Sequence, residues 1–164
     1  MGNDRSLLLS TGWTPSGTIT RPSTCSPVDP YGADVRDWLN FDDIERLEAS
    51  ARTPKSHRRA AAQLVEWAQE QNPDDEVTPG DLLSAAGWHL DQAGDVYEAL
   101  ALYRQAVDAQ GTTTPDARCT LHAALLKAGR PDQAREVAED LRHSRPRLGD
   151  IAAMAENFEL VGDR

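Results

Sequence analysis

The sequence predicts an all-α protein of three to four stacked helical hairpins, on three observations. A glycine stop recurs, as Ala93-Gly94-Asp95, Ala128-Gly129-Arg130 and Val161-Gly162-Asp163, at separations of 35 and 33 residues. Apolar residues on both sides of the first two stops recur at three- and four-residue steps, the spacing of one helix face. Proline follows a capping threonine at Thr53-Pro54, Thr78-Pro79 and Thr114-Pro115, where a helix start tolerates it.

Laid at an offset of 35, Leu83, Ala86, Gly87 and Leu90 fall on Arg118, Leu121, His122 and Leu125. Beyond the stop, Ala99, Tyr103 and Ala106 fall on Ala134, Ala138 and Leu141. The unit is helix, short turn, helix, with small residues where paired backbones approach. A period in the low-to-mid thirties marks a helical solenoid, in which each hairpin shares its apolar face with its neighbours.

In order, residues 1–32 are rich in Ser, Thr, Gly and Pro, with Trp13 and Ile19 as the only bulky anchors. They predict a loose arm, disordered or draped on the body. Residues 33–164 form the helical-repeat domain. Within it, 33–73 is a degenerate first hairpin: a short helical turn over Val35–Leu39, a helix from Asp43 to Ala51 capped by Asp42, and a helix from Thr53-Pro54 to Gln71. That last helix buries Ala61, Leu64, Val65 and Ala68, and Asn72-Pro73 ends it. Ala61 and Pro73 are twelve apart, as are Ala134 and Pro146. Residues 78–110 and 114–146 are the two clear repeats, the second opening at Thr114-Pro115, with Pro131 starting its second helix. Residues 149–164 carry a terminal capping helix, apolar along Ile151, Met154 and Phe158 and acidic at Glu156 and Glu159.

Composition narrows the function. The net charge is −10 and the sequence pI about 4.7. With no basic block, the chain lacks the clustered Lys and Arg that a nucleic-acid backbone demands. Dispersed acids make a solvated surface. Cys25 and Cys119 have neither CxxC spacing nor a disulfide framework, which suits free thiols in a reducing compartment. No apolar run reaches a membrane span, and Leu7-Leu8-Leu9 is too short for a signal-peptide core. A cytoplasmic protein is expected, and the abundance of Ala, Arg and Asp fits a high-GC bacterial source.

Motifs for nucleotide, metal and nucleophile chemistry are absent. His57, His89, His122 and His143 are scattered over predicted helices, although two could meet in space. His122 is expected at the hairpin interface, one ring nitrogen bonded to a backbone carbonyl. Cys119 and His122 share a helix face at i, i+3, a spacing that a thiol–imidazole dyad would use. Without a third orienting group it reads as packing. No catalytic role, cofactor or metal is expected.

The pattern over about 78–164 resembles the tetratricopeptide repeat. The likeness rests on Gly87, Leu90, Gly94, Ala99, Tyr103 and Ala106 in the first repeat and on Leu121, Leu125, Gly129, Ala134 and Pro146 in the second. Ile151, Met154, Ala155 and Phe158 match the first helix of a third. The chain departs from the family pattern at Arg118, His122 and Ala138, and places Gly111 where the next repeat has Pro146. The resemblance implies a right-handed α–α superhelix whose concave face is lined by the first helix of each hairpin. The implied groove positions are Asp81, Ser84, Trp88 and Asp91, then Asp116, Cys119, Ala123 and Leu126, then Ala152 and Glu156. None is the Lys, Arg or Asn with which some members clamp a peptide carboxylate. Trp88 is the natural anchor, with much contact area at small entropic cost. Asp81, Asp91, Asp116 and Glu156 suggest a partner segment that is basic and apolar.

The expected function is therefore a protein–protein adaptor with no nucleic-acid or membrane partner. Two alternatives stand beside it. One is a homo-oligomer joined through the terminal helix or the arm. The other is a regulatory protein or enzyme holding a ligand between helices.

Overall fold

The computed structural model describes residues 37–70, 72–109 and 111–162, within one body that starts at Val35. The predicted arm, 1–32, and the start of the turn at Val35 lie outside the described residues. Seven α-helices are found among the described residues: α1 Phe41–Ser50, α2 Pro54–Gln69, α3 Pro79–Ala93, α4 Val96–Asp108, α5 Ala117–Lys127, α6 Pro131–His143 and α7 Leu148–Gly162. No strand occurs among the described residues.

Helix starts are set by side chains that satisfy the first free amides. Thr53 and Thr78 each accept from the backbone N–H three residues on, and Ser56 and Asp81 return the bond. Pro54 and Pro79 sit in the first turns, as read from the sequence. The start of α1 differs from expectation. Asn40, not Asp42, is the cap, because Asp43 lies three residues after it and closes the reciprocal bond. Residues 37–40 form no helical turn. The start of α5 differs as well: Asp116 is the cap, accepting from Arg118 N–H at 3.0 Å, and the cis Thr114–Pro115 peptide lies outside the helix.

Helix ends at the glycine stops share one geometry. Gly94 and Gly129 adopt φ of 86° and 70°. The residue after each reaches back five positions, Asp95 N–H to Leu90 O and Arg130 N–H to Leu125 O, both at 2.9 Å. Only a left-handed residue lets the chain satisfy those last carbonyls and reverse, and glycine does so without a Cβ clash. At the third stop Gly162 is the last residue of α7, and Asp163 lies outside the described residues. Helix α2 ends at Gln69, ahead of Asn72-Pro73.

Neighbours pack in chain order from α1 to α6, and the odd helices also touch in succession, α1 to α3, α3 to α5 and α5 to α7. Leu39, Ile44, Ala61, Leu64, Val77, Leu82 and Ala86 bury together from the first three helices and the segments beside them. Ala99, Leu100, Tyr103, Leu121, Leu125 and Ala134 do so from α4 to α6, and Leu90 packs against both groups. Cys119, Leu141 and Met154 form a smaller third group beneath α7. Gly87 marks the closest approach of α3 and α4: a Cβ there would lie 2.7 Å from Tyr103 Cε1.

The inward face of α7 follows the apolar pattern only in part: the Phe158 ring meets the buried His122 of α5 edge-on at 4.9 Å, but much of it stays in solvent. Asp150 and Met154 are buried, whereas Ile151 and Phe158 are exposed. Asp150 is drawn in because its carboxylate accepts from Asp116 N–H and Arg147 N–H, both at 2.9 Å, tying the start of α7 to the start of α5.

Candidate interaction surface

Of the sequence-predicted positions, Trp88 is the one large ring on the outer side of α3, and it is 38% exposed. Its orientation is set by two histidines. The ring meets His57 of α2 edge-on at 5.7 Å between centroids and His89 at 4.9 Å. Nδ1 of His57 and Nδ1 of His89 are 2.9 Å apart, so one ring donates to the other. His89 is fully buried, and burial first, with His57 adding to it, pushes its pKa down to about 4. At neutral pH His89 is therefore an uncharged prop behind Trp88.

The predicted acids divide by task. Asp81 accepts from Thr78 N–H and Oγ1 at 2.9 and 2.7 Å, completing the cap of α3. Asp91 pairs with Lys127 Nζ at 2.5 Å across α3 and α5. Asp116 caps α5 and pairs with Arg118 Nη2 at 2.8 Å, and that guanidinium is the first cause of its lowered pKa. Three of the four acids read as a rim are thus engaged within the fold, and Glu156 is exposed on α7.

The remaining predicted positions are uneven. Ser84, Ala123 and Leu126 are half-buried, and Ala152 is exposed. Cys119 is buried and presents no surface: its thiol donates to Asp150 O at 3.6 Å, and Asn157 Nδ2 donates to Cys119 O at 2.9 Å. Burial pushes the thiol pKa up to about 11, with the Asp150 and Asp116 charges adding to the rise, so no thiolate forms at neutral pH. His122 is buried too, without the expected bond to a backbone carbonyl. Its Nδ1 faces Asn157 Nδ2 at 3.4 Å, and Nε2 has no hydrogen-bond partner. Cys119 and His122 point their polar atoms at α7 rather than at each other. The i, i+3 spacing reflects packing here.

Two features escaped the sequence. His57 and His89 are 32 residues apart and Asp91 and Lys127 are 36 apart, so no local pattern joins them. The second separation is close to the repeat period, the one hint that these residues sit on adjacent odd helices. The other feature is a groove of about 480 Å³ between the even helices α2 and α4. Ala61, Ala62, Val65, Leu90, Ala101 and Leu102 line it, with Arg58 and Glu98 at its edge. A further cleft of about 510 Å³ opens at the turns before α5 and α7, where Arg118 and Arg147 are held by Asp116 and Asp150.

Among the described residues no three His, Cys, Asp or Glu side chains gather as a metal site would need, and no helix is long and apolar enough to cross a membrane. The fold and this surface define an all-helical protein of packed neighbouring helices with an aromatic ring held at its surface. Comparison of the chain with known proteins found no matching family model, no similar characterised protein and no similar solved structure.

Proposed function

We propose that the chain is a non-catalytic protein–protein interaction module, a tetratricopeptide-repeat-like adaptor. In this reading the odd helices form the concave side of a right-handed superhelix, and their outer stripe holds a peptide or helix of a partner protein. Support comes from the successive contacts α1 to α3 to α5 to α7, with α2 and α4 each packed against the odd helices next to them in sequence and α6 against α5. The observation that carries the reading is Trp88. It is exposed, and it is held edge-on by His57 and His89. A ring fixed before binding loses little rotamer entropy when a partner covers it, which is how aromatic anchors contribute most.

The partner segment is then chiefly apolar where it meets Trp88 and basic where it passes Glu156. Engagement of Asp81, Asp91 and Asp116 within the fold makes charge the lesser determinant. The reading calls for no cofactor, metal, nucleic acid or membrane. The α2–α4 groove favours a second site for a partner helix, since its lining is apolar and lies on the opposite, even-helix side.

The full chain, used as bait in a native lysate beside Trp88→Ala and Ala101→Arg variants, tests both sites. A specific protein captured by the wild type and by Ala101→Arg, and reduced at least about tenfold by Trp88→Ala, is expected. Retention by Trp88→Ala overturns the stripe, and loss with Ala101→Arg alone moves the site to the even helices. Circular dichroism at matched concentration verifies that both variants are folded.

A further inference from the structure

We infer that α7 is a self-association face, on which a second copy of this chain docks its own α7 antiparallel about a two-fold axis. Leu148, Ile151, Ala152, Ala155 and Phe158 recur at three- and four-residue steps along α7 and all are exposed, with Phe158 at the border of the stripe, where its ring also meets His122 of α5. Phe158 occupies the repeat position of Leu125. Leu125 is 1% exposed, packed with Ala134 and Val137 of α6, whereas Phe158 is 56% exposed. The same place in the repeat is thus covered by a following helix in one case. Among the described residues no following helix covers it in the other, where one edge of the Phe158 ring meets His122 of α5 at 4.9 Å between centroids and the rest is exposed. A stripe of this kind on a surface marks an interface rather than a solvated face.

The stripe itself identifies its occupant. A two-fold axis beside residue 153 sets Leu148 against Phe158 of the second copy and Ile151 against Ala155, so large residues meet small ones or fill the ends. Charge selects the orientation. The acids of α7 outside its buried start, Glu156 and Glu159, lie toward its C-terminal end, and Arg145 and Arg147 immediately precede its N-terminus. A parallel pairing would place Glu159 on Glu159 and Glu156 on Glu156. The antiparallel pairing brings Glu159 to the Arg145–Arg147 segment of the other copy. Arg147 is already held by Asp150, while Arg145 has no side-chain partner among the described residues. An isologous contact of this kind closes on itself as a dimer. One helix pair is a small interface, so the dimer forms at concentrations of about tens of micromolar and above.

Sedimentation equilibrium on the full chain from about 5 to 500 µM tests this. The mass is expected to rise from 17.9 kDa toward twice that value across the series. Ile151→Glu, at a site 52% exposed in the monomer, is expected to raise the dimer dissociation constant at least about tenfold by placing charges in the stripe. Ala152→Glu does the same from a second exposed position, which guards against one variant failing to fold. Arg145→Glu weakens the dimer by about threefold, and combining it with Glu159→Arg restores it. A mass that stays at 17.9 kDa throughout overturns the inference, as does a dimer indifferent to Ile151→Glu and Ala152→Glu. Failure of the charge exchange to restore association overturns the antiparallel register.

Discussion

Gly87 has room for a hydrogen and little else. A Cβ at that position would meet Tyr103 Cε1, Cδ1 and Cζ at 2.7, 2.9 and 3.0 Å, and that ring is itself buried between helices. Alanine would gain about 1 kcal/mol of helix propensity over glycine. Forcing apart two packed helices costs about 1–3 kcal/mol, so the clash wins wherever the ring cannot yield. Gly87→Ala is therefore expected to lower stability by up to about 2 kcal/mol, read as a lower urea midpoint at unchanged slope. His89 carries a second residue-scale expectation. Its folded pKa of about 4 lies below the ordinary histidine value, so between pH 6.5 and 4 the unfolded chain holds the extra proton. Stability is then fully present above pH 6.5 and is lost as the pH falls toward 4, by about 2–3 kcal/mol. Urea titrations at pH 7, 5.5 and 4.5 should show that decline, and His89→Gln, which cannot titrate, should flatten it.

At the scale of elements, helix boundaries were legible where two local signals agreed. Thr53-Pro54 and Thr78-Pro79 join a capping hydroxyl to a first-turn proline, and both open helices as read. Gly94 and Gly129 close helices because the reversal needs a positive φ that glycine adopts freely. Where two candidates stood side by side, the choice went wrong. Asn40 and Asp42 each have an acid three residues on, Asp43 and Glu45, but the helix already begins at Phe41, and the reciprocal bonds run between Asn40 and Asp43. Thr114-Pro115 looked like its two predecessors, but Asp116 is anchored from α7 through its own N–H, and that tertiary bond places the start of α5. The α1 start gives a clean contrast. Asn40→Ala should cost about 1 kcal/mol, the usual loss of a side-chain cap, whereas Asp42→Ala should change stability by only a few tenths. Thermal melts of the two variants, run together, would separate them. The direction of α7 was not legible for a similar reason. Its apolar stripe is real, but Asp150 accepts from Asp116 N–H at the start of α5 as well as from Arg147 N–H just before α7, and that tie turns Ile151 outward.

At the scale of the whole molecule, the repeat period revealed that helices pair with their sequence neighbours, whereas it could not name the contacts one period apart. The props of Trp88 and the Asp91–Lys127 bridge belong to that unseen class, as does the burial of Cys119 by α7. A chain stabilised by successive neighbours opens from its weakest junction rather than all at once. The first three helices and the segments beside them share seven well-buried residues, and Leu90 links them to the group in α4 to α6. Helix α7 is held by less: Met154 and Ala153 against Cys119 and Leu141, the Phe158 ring edge-on against His122, Asn157 to Cys119 O, and the Asp150 bonds at its start. Native-state hydrogen exchange should therefore find the amides of α7 opening first, at a free energy below the global value, and those of α2 and α3 last. Asp150→Asn sharpens the expectation, because the Arg147 guanidinium, the first cause of the Asp150 pKa near 2, loses its charged partner while the amide keeps one acceptor. Exchange in α7 should then speed by about tenfold, for a loss of about 1.4 kcal/mol, with rates in α2 and α3 unchanged. Equal acceleration in every helix would mean that the molecule unfolds as one unit, contrary to a stack held together by its successive junctions.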